Sequence, residues 1–163
     1  MDKKVFTPLE YDKTDNDKQA IKIFLAGTID NGKSLDWQKA LIDEICSIDT
    51  NCQIFIYNPR RDKWPDGDNK DELDGQIRWE LYHLEKSDII IMNILPKSKS
   101  PISLMELGLF AKNGKLIVFC QESFYRYDNI RIVCERYGIP LINTNDILVI
   151  KNEISKRITH KKR

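Results

Sequence analysis

One carboxyl group interrupts the apolar stretch Ser100-Pro-Ile-Ser-Leu-Met-Glu-Leu-Gly-Leu-Phe-Ala111, where Glu106 is the only ionisable side chain. The stretch reads as a buried helix. Ser100 can cap its first turn with a hydroxyl, and Pro101 suits the first helical position, where an N–H would be unpaired anyway. Ile102, Leu109 and Phe110 recur at helical spacing around Glu106, which predicts a carboxylate sharing a face with apolar neighbours. A carboxylate held there costs free energy unless it is paired, hydrogen-bonded or protonated. Chains keep such a group chiefly when it is needed, and one shielded from water can stabilise a developing positive charge or trap it covalently.

Other residue types with chemistry lie near predicted strand ends. Gln76 and Glu80 sit four apart, on one face of a predicted helix, and could both point at a ligand. The bland alternative makes Glu80 a solvated helix acid. In Asn58-Pro-Arg-Arg61 the proline stiffens a turn, and Arg60 or Arg61 could clamp an anionic group. Equally, the arginines could pair at the surface with Asp62 or Asp66. The acidic loop onward to Asn69 carries Trp64, an aromatic that could stack on a nucleobase from a lid. Gly27-Thr-Ile-Asp-Asn-Gly-Lys-Ser34 fits a phosphate-binding loop after a strand, the signature of a P-loop nucleotide kinase or NTPase. Against that, no apolar strand ends in the aspartate that should support a metal. The other reading is a glycine-rich turn that closes over a different ligand.

The elements that must position these groups follow from the hydrophobic pattern. Residues 21–26, 53–57, 88–94 and 115–120 read as strands, several apolar on successive positions, as in strands covered on both faces. Residues 35–48, 73–86, 101–113 and about 129–137 read as helices, with a short strand near 139–142 and a C-terminal helix before the basic tail His160 to Arg163. This alternation predicts an α/β fold: an open, doubly wound parallel sheet of about five strands, flavodoxin- or Rossmann-like, with helices on both faces. Such sheets bind ligands at the carboxyl ends of their strands. The 163 residues suggest one domain: an extended N-terminal arm over 1–20, a core over 21–150, and a helix and tail over 151–163. Trp37 is expected in the core. A net charge of +1 gives no footprint for a nucleic acid polymer or a membrane. Without a signal-peptide core or a membrane-length stretch, a cytoplasmic location is expected. The four cysteines, without C-x-x-C spacing, read as free thiols, and the two histidines offer no metal ligand pair.

The blocks Ile23-Phe-Leu-Ala-Gly-Thr-Ile29, Asn58-Pro-Arg-Arg61, Gln76-Ile-Arg-Trp-Glu80, Ser87-Asp-Ile-Ile90 and Ser100-Pro-Ile-Ser-Leu-Met-Glu-Leu-Gly108, in this order, resemble the nucleoside 2-deoxyribosyltransferase-like proteins. The resemblance runs from about residue 21 to 137. It implies the same doubly wound fold and cleavage of the bond between a nucleobase and 2-deoxyribose, with transfer of the sugar to another base. Glu106 is then the nucleophile on the anomeric carbon, and Glu80 matches an acidic residue of related hydrolases. Ser100 and Thr28, after Gly27, match substrate-contacting positions. Nucleotide-cleaving relatives carry a basic residue where this chain has Asp30, which counts against a 5′-monophosphate unless Lys33, Arg60 or Arg61 supplies the charge. Arg126 and Asn129 match positions near a sugar or a neighbouring subunit. The resemblance also implies a homo-oligomer, a small nucleoside or nucleotide substrate, and no metal or organic cofactor. Two alternatives keep the same pocket: an N-glycoside hydrolase, and a nucleotide-sensing domain without turnover.

Overall fold

The computed structural model describes residues 2–8, 18–62 and 69–161. Trp64, Asp66 and the proposed lid around them lie outside the described residues. The strands are β1 (Lys3–Phe6), β2 (Ile21–Gly27), β3 (Ile54–Tyr57), β4 (Ile89–Ile94), β5 (Leu116–Cys120) and β6 (Leu141–Ile142). The helices are α1 (Trp37–Cys46), α2 (Lys70–Lys86), α3 (Pro101–Phe110), α4 (Tyr127–Tyr137) and α5 (Ile147–Lys161). All strand pairs are parallel, in the order β1-β3-β2-β4-β5-β6. β3, β4 and β5 are buried along their whole length, which is why they read as unbroken apolar runs rather than alternating ones.

Side-chain alternation along β4 feeds two cores. Ile89 and Ile91 point to the layer of Trp37, Leu41, Ile45, Ile150, Ile154 and Ile158, on α1 and α5. Ile90, Met92 and Ile94 point to the layer of Trp79, Leu84, Leu107, Ala111, Ile130 and Cys134, on α2, α3 and α4. Trp37 thus packs in the core, as expected. The helix starts are coded locally: Asp36 accepts the Lys39 N–H at 3.0 Å and Asn69 the Glu72 N–H at 3.2 Å. No helix among the described residues is long and apolar enough to cross a membrane.

The sheet has six strands, one more than expected. Lys3–Phe6 is not merely an arm but an edge strand on β3, register Lys3 to Ile54. Its polar lysines hid it, because an edge strand is only half covered. The C-terminal helix begins at Ile147 rather than 151 and runs into the basic tail.

The segment matching a phosphate-binding loop folds as something else. Asp30–Gly32 form a 3-10 turn, and α1 begins only at Trp37. The Gly32 and Ser34 N–H groups donate to the Ile29 carbonyl, the Lys33 N–H to that of Asp30, and the Ser34 hydroxyl to Ile29. Amides bonded to their own loop cannot cradle a phosphate. Arg60, expected at substrate, clamps this loop instead. Its guanidinium donates to the carbonyls of Gly32 (3.0 Å), Ser34 (2.6 Å) and Leu35 (3.2 Å), and pairs with Asp36 at 3.6 Å. The P-loop alternative is overturned on this geometry.

β2 and β4 meet tightly where β2 ends. Gly27 pairs with Asn93 in register and has φ of +127°. A Cβ there would lie 2.1 Å from the Asn93 carbonyl oxygen, a backbone atom that cannot step aside. Gly27 is therefore required by the sheet itself. Gly27→Ala is expected to destabilise the fold by about 3 kcal/mol or more, measured as a drop in the urea midpoint.

Candidate active site

The connections β2→β3 and β4→β5 leave in opposite directions, so the sheet's switch point falls between β2 and β4. The main candidate residues converge on the carboxyl side of that point. Thr28, just past β2, is buried; its N–H donates to the Asn93 carbonyl at 3.0 Å, and its carbonyl accepts the Trp37 indole N–H at 2.8 Å. Its hydroxyl accepts the Leu95 N–H at 2.9 Å and lies 2.6 Å from that of Ser100.

Ser100 departs from expectation. It stands at the N-cap of α3 with φ of 46°, but its side chain caps nothing. The hydroxyl turns away to Thr28 and, at 2.9 Å, to Ser98. The Ser98 hydroxyl in turn donates to the Asp30 carboxylate at 2.7 Å. Ser98 was missed at sequence level, although two serines spaced by two after a buried strand were a usable signal.

α3 holds Glu106 inward, 7 % exposed, on the buried side with Ser103 and Leu107. Two of the neighbours expected to shield it do not, since Ile102 and Leu109 are exposed. α3 is apolar nearly all round, so periodicity could not select its buried side. Glu80, on α2, lies near enough to act on Glu106 as an electrostatic partner of the same sign. Burial, and secondarily the Glu80 charge, push the Glu106 carboxyl up to about 8. Burial also raises Glu80, and a hydrogen bond from Gln76 pulls part of that rise back. The pair therefore retains a proton into the neutral range.

A chain of polar contacts orients this pair. The Gln76 side-chain amide donates to Glu80 at 2.8 Å. Its oxygen accepts from the buried Arg61 guanidinium at 3.3 Å, which fixes which end of the amide faces Glu80. Arg61 is anchored in turn by Glu72 rather than by the expected Asp62, and Asp66 lies outside the described residues. So Arg61 and Gln76 act on the carboxyl pair through position. Asn58 closes the preceding turn by accepting the Arg60 N–H at 3.0 Å.

Arg126 and Asn129 are elsewhere. They line a cavity of about 320 Å³ between α3 and α4, walled by Leu104, Leu107 and Gly108, with neither Glu106 nor Glu80 in its lining. Among the described residues no group of three or more His, Cys, Asp or Glu could hold a metal ion. All four cysteines are free, and burial pushes the Cys120 and Cys134 thiols up to about 12 and 11.

Fold and site together define a doubly wound α/β domain with a buried carboxyl pair beside the switch point of its sheet. The family model described as nucleoside 2-deoxyribosyltransferase like matches residues 20–124, well over half of the chain, and the chain belongs to that family. A conserved protein from Enterococcus faecalis V583, known as a crystal structure, superposes with a TM-score of 0.56 at 13 % identity, over 85 % of this chain and 99 % of that one. That likeness concerns the fold alone. No curated protein matches the sequence.

The carboxyl pair makes a stability prediction. The folded chain holds the Glu106 proton up to about pH 8, while an unfolded glutamate releases it near 4.5. Native protein thus binds more protons between those values, and stability falls as pH rises through them. Glu106→Gln, isosteric and neutral, should match wild type near pH 4.5 and exceed it by about 4 kcal/mol at pH 8, read from urea unfolding at each pH.

Proposed function

We propose that this protein cleaves the N-glycosidic bond of a 2′-deoxynucleoside through a glutamyl-glycosyl intermediate and transfers the sugar to another nucleobase. The observation that carries the reading is the buried, electrostatically coupled pair Glu106 and Glu80 beside the switch point, in a chain of this family.

The two carboxyl groups suit two halves of one displacement. The Glu106 carboxylate oxygen attacks the anomeric carbon while the carbon–nitrogen bond breaks and its electron pair passes to the base. The resting pair carries its proton on Glu106; as the substrate enters, that proton passes to Glu80, which leaves Glu106 as the attacking carboxylate, and Glu80 delivers it to the leaving nitrogen. In the second half the nitrogen of an incoming base attacks the same carbon, its proton goes to Glu80, and Glu106 leaves as the carboxylate. The low polarity that makes the empty site expensive strengthens the attraction between Glu106 and the positive sugar of the transition state. Gln76, held by Arg61, keeps Glu80 aimed, and Thr28 and Ser100 border the sugar.

The same reading includes assembly with a second copy of the chain. Its support is an exposed apolar stripe on α2, Leu73, Ile77 and Leu81, and a second on α3, Ile102, Met105 and Leu109. Both flank the carboxyl pair, and singly solvated stripes of this extent are unusual. Ile77→Glu with Met105→Glu should convert an oligomer into a monomer, checked by light scattering.

Glu106→Ala is expected to lower release of base from deoxynucleosides by about 1,000-fold or more, followed by chromatography of free base. Unchanged turnover in this variant would sink the covalent mechanism. Adding a second free base to the wild type should yield a new nucleoside; free deoxyribose alone would instead make the protein a hydrolase.

A further inference from the structure

A hydroxyl in a helix ordinarily donates to the carbonyl four residues back, and this chain follows that habit elsewhere. At the end of α2 Ser87 donates to the His83 carbonyl at 2.7 Å, and in α5 Ser155 donates to that of Lys151 and Thr159 to that of Ser155, both at 3.0 Å. Ser103, on α3, does not. The carbonyl four residues before it, that of Lys99, lies ahead of the helix and takes the Tyr125 hydroxyl at 3.3 Å. The Ser103 side chain has no hydrogen-bond partner among the described residues, yet the residue is only 4 % exposed. A buried hydroxyl left unpaired costs free energy that an alanine would not. Its place supplies a reason. Ser103 stands three residues before Glu106, on the same buried side of α3. Long helical side chains lean back toward the N-terminus, over the residues three and four before them. For Glu106 these are Ser103, which is buried, and Ile102, which is exposed, so the inward carboxyl comes to lie over Ser103.

We propose that Ser103 is a positioning residue for Glu106: its hydroxyl, idle while the acid is protonated, turns to donate to the carboxylate once the proton has gone. The inference rests on the deoxynucleoside reading above and adds a control on its nucleophile. A carboxylate in a buried site is stabilised by every donor that reaches it, and far more than the neutral acid is. In turnover the Glu106 proton passes to Glu80, Ser103 keeps its own, and one hydrogen bond is added to the ion that must attack. The same bond receives Glu106 when it leaves the sugar again. The charged groups around it offer no substitute. From α2 they are Glu80, of like sign, and the Arg61–Glu72 pair behind Gln76. Asp30, after β2, is held by the Ser98 hydroxyl, and β4 carries no ionisable side chain. Arg126 lies over the Tyr125 ring, and Arg131 pairs with Asp128 and Glu135 of its own helix.

The test follows Glu106 itself before it follows turnover. In protein carrying carbon-13 in its glutamate carboxyls, the signal lost in Glu106→Gln identifies the residue. Its titration midpoint is then read by NMR in wild type, Ser103→Ala and Ser103→Thr. Ser103→Ala should raise the midpoint by about half a pH unit or more, because the ionised form loses its donor. Ser103→Thr keeps a hydroxyl and should bring back at least about half of that shift. The alkaline limb of kcat/KM for base release from a 2′-deoxynucleoside should move upward with the midpoint, and the plateau should fall about tenfold in Ser103→Ala. At about pH 5, where Glu106 is protonated, the urea midpoint of Ser103→Ala should stay level or rise, since an unpaired hydroxyl leaves the core. An unmoved titration midpoint in Ser103→Ala overturns the proposal and leaves the deoxyribosyl reading standing. A lower plateau with an unmoved limb overturns it in favour of packing, as does a marked loss of stability at that pH. Wild type that releases no base from any deoxynucleoside overturns the deoxyribosyl reading and the role in attack together, and the titration tells that result apart from a failure of Ser103 alone.

Discussion

The rest of the structure hangs on how closely two central strands approach before they part. β2 and β4 are hydrogen-bonded neighbours through Gly27 and Asn93, with no space for a side chain at position 27. Immediately beyond, the chain from β2 turns one way into α1 and the chain from β4 the other way into α3. Thr28 is the first residue past that contact and still shares a hydrogen bond with each side, to the Asn93 carbonyl and from the Leu95 N–H. The crevice is therefore lined by residues whose positions follow from the sheet rather than from loop packing. Side chains tied to a sheet in this way are held more tightly than loops alone could hold them.

Against that rigid floor the carboxyl pair is an unfavourable element held in place by the rest of the fold. Burial raises the proton affinity of both acids, and the Glu80 charge adds to that of Glu106. Among the described residues no cation pairs with either acid directly. The chain places Arg61 one residue away, acting through Gln76, so Glu80 receives an oriented donor but no full counter-charge. A salt bridge there would hold Glu80 ionised, whereas a neutral amide donor leaves its proton affinity raised. The basic residues of the Asn58-Pro-Arg-Arg61 turn thus divide the labour. Arg60 locks the β2–α1 loop, and Arg61 positions Gln76 against the acid.

Most of the fold was legible because its signals are local. Successive apolar residues in 54–57, 89–94 and 116–120 announced covered strands, and the pattern placed the starts of α1 and α2 at 35 and 73, within a few residues of Trp37 and Lys70. The edge strand β1 escaped because half-covered strands keep polar side chains such as Lys3 and Lys4. The phosphate-loop match misled for a different reason. A motif specifies residue types, whereas binding depends on which way the amides point, and Arg60 from 26 residues beyond Ser34 decides that.

The sequence by itself determined that Glu106 sits on an apolar helix, that Gly27 ends a strand, and that the chemistry-bearing residues follow strand ends, because periodicity and strand–turn grammar are properties of neighbouring residues. Only the tertiary structure decided which side of α3 is buried, that Glu80 lies near Glu106, that Ser100 bonds across to Thr28 instead of capping, and that Arg126 and Asn129 line a different cavity. Those facts are contacts between segments far apart in the chain. They are fixed by partners that no local pattern contains.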